Sequence, residues 1–306
     1  MRLLAAASVT AISLVLLGAC GPASVPADQP DAVEAAADAE EAAGPETAAA
    51  SAPRLEQLWV TDGFDAPEGA ALAPDGSYFI SNVTGDGSTK EGKGFVSKLG
   101  ADGTMLMLRW AEGLDAPKGM TVLGDTLYVA DIDQVVTFDV HNGTKRDTIS
   151  IDSAQMLNDM TVWQGEVLVS DSGAASIHRL TPEGPRLLGA STDWAGINGL
   201  LGDGERLLIS TMAEGYLIEL RGADAEQILA RGMKDADGVG LVPGGGYLVS
   251  SWPGHIHYVS EDGQVTTLLD TQAGGILQND LAVFGDVVIV PNWLPGTVTA
   301  WRVVRD

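Results

Sequence analysis

The chain has 306 residues, 45% of them hydrophobic, with 38 glycines, a single cysteine and a net charge of −25. One cysteine excludes an intrachain disulfide, and the acidity excludes a surface suited to nucleic acid or to anionic lipid headgroups. No phosphate loop, dinucleotide fingerprint, zinc signature or Gly-x-Ser-x-Gly elbow occurs, which removes the corresponding nucleotide, zinc and serine-nucleophile chemistries.

Residues 1–19 read as a targeting leader, with Arg2 as the positive start and a nearly continuous apolar run from Leu3 to Leu17, too short for a stable membrane span. The run ends Leu16-Leu17-Gly18-Ala19-Cys20 and resembles the lipobox of bacterial lipoproteins, with the one cysteine at the position that such a motif lipidates. The resemblance implies a chain anchored through Cys20, and Gly21 after it implies retention at the outer membrane, facing the periplasm. Residues 20–53 are rich in Ala, Pro, Asp and Glu and contain no aromatic residue, so they are expected to form a disordered tether.

From Arg54 the composition changes. The sentence Pro67-Glu68-Gly69-Ala70-Ala71-Leu72 followed by Asp75-Gly76 and a second apolar run is a strand, a turn and a strand. Equivalent openings recur at Lys118, Asn158, Asn198, Asp237 and Asn279, at spacings of 50, 40, 40, 39 and 42 residues. A period near 40 with several strands per unit predicts an all-β, six-bladed β-propeller over 54–306, with four strands per blade. In the second unit the strands are expected at Gly119–Leu123, Thr126–Ala130, Val135–Val140 and Thr148–Ile151. The last unit supplies only three strands before the chain stops. The segment Leu55–Val60 is therefore expected to pair with Thr297–Val303 as the missing outer strand, which closes the ring and removes two sheet edges.

Each inner strand starts at one mouth of the central channel, so Glu68, Lys118, Asn158, Asn198, Asp237 and Asn279 are expected to converge on one axis. Four are followed by Gly, which lets the backbone turn sharply, and Asn158 and Asn279 are followed by Asp. Two carboxylates among amide oxygens suit Ca2+ better than Zn2+, since no Cys or His stands in the ring. A polar lining that holds only water is the alternative. Of the histidines, His255 follows Trp252-Pro253-Gly254 in an expected loop at the same mouth and is the candidate proton shuttle. The Gly-rich stretch from Val83 to Gly94 is a candidate lid, and Trp252 and Trp293 are candidate pocket walls.

Glu in the first blade, Asn in the third and fourth and Asp in the fifth give the chain its resemblance to the senescence-marker-protein/gluconolactonase family, whose wider relatives are paraoxonases and diisopropylfluorophosphatase. The carrying motifs are Pro67-Glu68-Gly69, Leu157-Asn158-Asp159, Ile197-Asn198-Gly199-Leu200 and Ala236-Asp237-Gly238. The resemblance implies a metal-dependent lactonase or esterase that binds Ca2+ or another divalent metal through Glu68, Asn158, Asn198 and Asp237. Beside that metal, the residue pattern itself offers Asp237 or His255 to activate water and Lys118 to contact an oxyanion, with a small lactone or ester as substrate.

Lys118 departs from that pattern. It is placed either to contact a substrate oxyanion or to replace the metal by pairing with Glu68 or Asp237. The second possibility describes a non-catalytic binding or scaffold lipoprotein, and metal-free lyases of similar architecture form a third class.

Overall fold

Short runs of β-branched and aromatic residues, punctuated by Gly, Asp and Asn, favour pleated sheet over helix. The structure, a computed structural model, describes residues 51–222 and 225–305. The leader, Cys20 and all but the last three residues of the expected tether lie outside the described residues. No helix among the described residues is long and apolar enough to cross a membrane.

The chain forms six antiparallel blades in a ring, five of them meanders of four consecutive strands and the sixth completed by the N-terminal strand. Inner strands are Pro67–Leu72, Pro117–Leu123, Leu157–Trp163, Ile197–Asp203 and Ala236–Leu241 in the first five blades. In the sixth the inner strand is broken into Leu277–Gln278 and Ala282–Phe284, both paired with Val287–Leu294. The outer strand of the second blade is Lys145–Ser150, which starts three residues and ends one residue earlier than the sequence pattern places it. The ring closes as expected: Arg54–Asp62 pairs antiparallel with Thr297–Val304, from Arg54 opposite Val304 to Asp62 opposite Thr297.

Six apolar clusters hold the ring, one at each interface between neighbouring blades. Between the first and second, Phe79 packs at a tilt against Trp110, 4.4 Å between ring centres, beside Leu127 and Phe138. Between the sixth and first, Tyr78 stacks on Phe284 at 5.6 Å. Every blade buries both faces, and each inward side chain belongs to one of its two interfaces.

The Asp-Gly turns form as their chemistry dictates. Gly76 and Gly103 take positive φ angles of 83° and 84°, and Asp75 and Asp102 accept from the backbone N–H two residues on, at Ser77 and Thr104.

The inner strands of the first five blades share one irregularity. Each slips register just after its first residue, for instance between Pro67 and Ala70, so the next two residues leave the ladder. A serine on the second strand catches the freed backbone in four blades: Ser81, Ser170, Ser210 and Ser250 accept from the N–H of Gly69, Asp159, Gly199 and Gly238, each at 2.8 Å. This recurrent bond aims the residue before it into the channel mouth.

The glycines here correct an expectation. Gly69, Gly119, Gly199 and Gly238 are not in the positive-φ region. They are glycine because the neighbouring inner strand passes too close for a Cβ: one on Gly119 would strike Asp159, and one on Gly238 would strike the Asp280 carboxylate and the Leu281 backbone. Gly238→Ala is therefore expected to destabilise the protein by about 2–3 kcal/mol or more, the scale of overpacking a tight core. Urea denaturation checks this, and an unchanged midpoint would refute the close approach.

Candidate functional site

The freed residues of the six inner strands meet as predicted. Glu68, Lys118, Asn158, Asn198, Asp237 and Asn279 line one cavity of about 410 Å³ at the channel mouth, and all six are buried. Met156, Met212, Trp252, Trp293 and Asp86 complete its wall.

Two carboxylate oxygens in this ring, Glu68 Oε2 and Asp237 Oδ1, are buried with no hydrogen-bond partner, although Glu68 and Asp237 are only 4% and 2% exposed. Buried polar atoms are ordinarily satisfied, and an orphaned carboxylate oxygen is the most expensive kind. Asn198 turns its amide Nδ2 toward Met212 Sδ at 3.5 Å. The second strands contribute structure here, not ligands. The side chains of Asn82, Asp131 and Asp171 are buried and accept backbone N–H groups of the connectors that lead into the inner strands, at Asp65, at Asp115 and Ala116, and at Gln155 and Met156.

A second layer lies one residue deeper. Asp159 and Asp280 occupy the level at which the other four blades carry Gly, and they line both the channel floor and a lower cavity of about 260 Å³ that opens toward the opposite end. Asp159 spans two blades, its carboxylate accepting from the N–H of Met160 and of Leu200, each at 2.7 Å. Asp280 accepts from Leu281 N–H at 2.7 Å.

Four carboxyls thus crowd one channel. Burial pushes Glu68 well above the ordinary carboxylate range; the Lys118 ammonium works against the shift, while Asp237 and Asp159 add to it. Burial pushes Asp237 up to about 7, with Asp159 adding and Lys118 opposing. Asp159 is pushed up to about 7 by burial, against the pull of its two backbone hydrogen bonds. Asp280 lies well above its ordinary value through burial and the charges of Asp159, Asp237 and Glu68.

Raised carboxyl values mean that the folded protein keeps protons that the unfolded chain has released. The contribution to stability is then full at low pH and is lost as pH rises through the folded value. Two buried histidines oppose it lower down, His178 held below its usual value and His257 down to about 4, both first by burial. At pH 6.5 the unfolded chain still holds about half a proton on each of these histidines and releases it by about pH 8, an opposing effect smaller than that of four raised carboxyls. In chelator, the Tm is expected to be higher at pH 6.5 than at pH 8; a higher Tm at pH 8 would refute the crowding.

Lys118 is in the ring but does not pair as one expectation had it. Among the described residues it forms no ion pair within 4.0 Å, so it bears on Glu68 and Asp237 through its field rather than by contact. Its ammonium reaches the loop from Val83 to Gly94: a Cβ on Gly87 would lie 3.3 Å from Lys118 Nζ and 3.9 Å from Trp293. That loop is tied over the mouth to the second blade by Lys90 with Asp133, at 2.6 Å, and by Gly92 N–H donating to Asp115 at 2.9 Å.

His255 is not brought to the site. It is the first residue of the strand His255–Val259 rather than part of a loop, and it sits opposite Asp270 of the outer strand. Its ring lies 3.6 Å from the Asp270 carboxylate, takes a contact from Gln272 at 3.1 Å and stacks on His257 at 5.5 Å. It does not line the cavity.

No family model matches the chain, and no curated protein matches it in sequence. Solved structures do match in fold. A gluconolactonase of Xanthomonas campestris superposes with a TM-score of 0.62 at 18% identity, over 82% of this chain and 90% of that one. Virginiamycin B lyase of Staphylococcus aureus gives 0.60 at 11%, over 82% and 100%. The PQQ-bound aldose sugar dehydrogenase of Streptomyces coelicolor gives 0.59 at 14%, over 84% and 100%. At these identities the likeness is one of architecture, and the same ring carries different chemistries. The gluconolactonase among these neighbours is in keeping with the resemblance that the sequence motifs carry.

Proposed function

We propose that the protein hydrolyses a lactone or related ester at the mouth of the propeller channel, with a divalent cation held by Glu68, Asn158, Asn198 and Asp237. The observation that carries this reading is the pair of orphaned oxygens, Glu68 Oε2 and Asp237 Oδ1, buried in one cavity with side-chain amides. Such atoms lack what an oxygen-seeking cation would supply, and two carboxylates balance a dication. The cavity lining offers carboxylate and amide oxygens and no Cys or His, so a hard, amide-tolerant ion such as Ca2+ fits this donor set better than zinc.

A bound cation of this kind polarises a carbonyl oxygen as a Lewis acid. The chain's own residues account for the rest. Asp237, with one buried oxygen that has no hydrogen-bond partner, would accept a proton from water. As the water oxygen bonds to the carbonyl carbon, Lys118 is positioned to donate a hydrogen bond to the oxyanion. The acyl–oxygen bond then breaks, and the leaving oxygen takes the proton from Asp237. A lactone gives a hydroxy acid, and an ester gives an acid and an alcohol. His255 has no part in this scheme.

The leader sequence adds a location to the proposal: a lipid anchor at Cys20 in the outer membrane, with the domain facing the periplasm. Incorporation of labelled palmitate that is lost in Cys20→Ser tests it.

Lys118 favours a second reading, a non-catalytic ligand-binding propeller in which the ammonium takes the place of the cation. Lys118→Met separates the two. In the hydrolase it lowers kcat by about a hundredfold, the scale of one lost oxyanion donor, leaves KM nearly unchanged and tightens calcium binding by removing a positive charge. In the binding module the wild type hydrolyses nothing and binds no calcium, and only the variant acquires a cation.

A further inference from the structure

The wall of the cavity is divided. Met156 leads into the inner strand of the third blade, Met212 follows the second strand of the fourth, Trp252 follows that of the fifth, and Trp293 belongs to that of the sixth. Four consecutive blades therefore present thioether and indole, while the first and second present Asp86 and Lys118. Trp252 and Trp293 meet edge to face at 6.2 Å, a stable apolar corner. Met156 is 39% exposed at the rim and Met212 is half-buried, with its sulfur against Asn198. Unbranched thioethers adapt to flexible apolar groups, and apolar surface left open over a polar floor is surface that a ligand can cover.

We infer that the substrate is amphipathic: an uncharged lactone or ester head that sits on the polar ring, bearing an alkyl or aryl substituent that lies along the Met156, Met212, Trp252 and Trp293 arc. A polyhydroxylated sugar lactone fits poorly. Its ring hydroxyls would lose water against groups that offer almost no hydrogen-bond partners. An anionic substrate fits poorly as well, since the channel holds four carboxyls and the chain carries −25. The chemistry at the head rests on the hydrolase reading; the division of the wall does not.

The test uses two parallel series on the full-length protein. Binding is measured by calorimetry with δ-lactams, which are not turned over, carrying no side chain, propyl, pentyl or heptyl, beside gluconolactam. Hydrolysis is followed by pH-stat with the matching δ-lactones and glucono-δ-lactone. We expect the lactam Kd to fall about two- to fourfold per added methylene over the first few carbons, and gluconolactam to bind at least tenfold more weakly than the pentyl lactam. Trp252→Ala and Met212→Ala should each flatten the chain-length dependence, and kcat/KM for the lactones should follow the same order. A flat lactam series, tighter binding of gluconolactam, or no lactam binding at all overturns the inference. Chain-length-dependent lactam binding without turnover of any lactone overturns the hydrolase reading and leaves the amphipathic ligand standing. Turnover that is indifferent to chain length does the reverse.

Discussion

Asp237→Asn is expected to cut lactone or ester hydrolysis by about a thousandfold and, in chelator, to raise the melting temperature. The two effects share one cause. Asp237 is buried among Glu68, Asp159 and Asp280 with one oxygen unpartnered, a placement that burdens the fold in the absence of a cation. An amide of the same shape keeps the packing but removes the charge. It therefore relieves the repulsion while losing the proton acceptor and a charged donor to the cation. Relief of about 1–3 kcal/mol corresponds to several degrees for a domain of this size. The comparison of activity and thermal melts at pH 8 is decisive because a merely structural Asp237 would lose stability in the variant. Loss of both activity and stability would assign the residue to the fold alone.

Deletion through Asp62 is expected to abolish cooperative folding. The strand Arg54–Asp62 is mostly exposed on its own, so its contribution lies in what it closes. It completes the sixth blade through its ladder with Thr297–Val304, whose edge would otherwise stand open. It also bridges to the first blade: Trp59 lies 6.4 Å from Tyr78 and donates to the Ala101 carbonyl, and Thr61 donates to the Gly103 carbonyl at 2.6 Å. Exposing the half-buried Trp59 alone costs about 1.5–3 kcal/mol, a sizeable part of typical domain stability. The truncated protein should show no sharp transition by circular dichroism, and a peptide of residues 51–62 added in trans should restore one. A truncated protein that melts like the full chain would contradict closure by this strand.

Much of this architecture was legible because it is written locally and repeatedly. The six openings at a period near 40 and the Asp-Gly turns are short-range patterns, and they placed Glu68, Lys118, Asn158, Asn198, Asp237 and Asn279 in one ring. What stayed hidden depends on distances between blades. The Gly after four ring residues looked like a turn signal, whereas it marks close approach of neighbouring strands; the Asp159 and Asp280 that replace it form the deeper carboxyl layer. Met156 was missed because, in an antiparallel meander, the connector into an inner strand returns to the same face as the loop between second and third strands. Nothing in the local pattern sets the acids at the ends of the second strands apart from surface turn residues, yet Asp131 and Asp171 are fully buried staples. His255 was misplaced by the start of a strand, which turned its ring toward Asp270 instead of the channel.

Calorimetric titration of calcium into the chelator-treated protein, beside Glu68→Gln, tests the central claim most directly. Binding in the wild type that weakens by at least about a hundredfold in the variant, as expected when a charged ligand is removed, would place the cation among the orphaned oxygens of the ring. No calcium uptake by a wild-type protein that still melts cooperatively would contradict the account and leave Lys118 as the resident cation of the channel mouth.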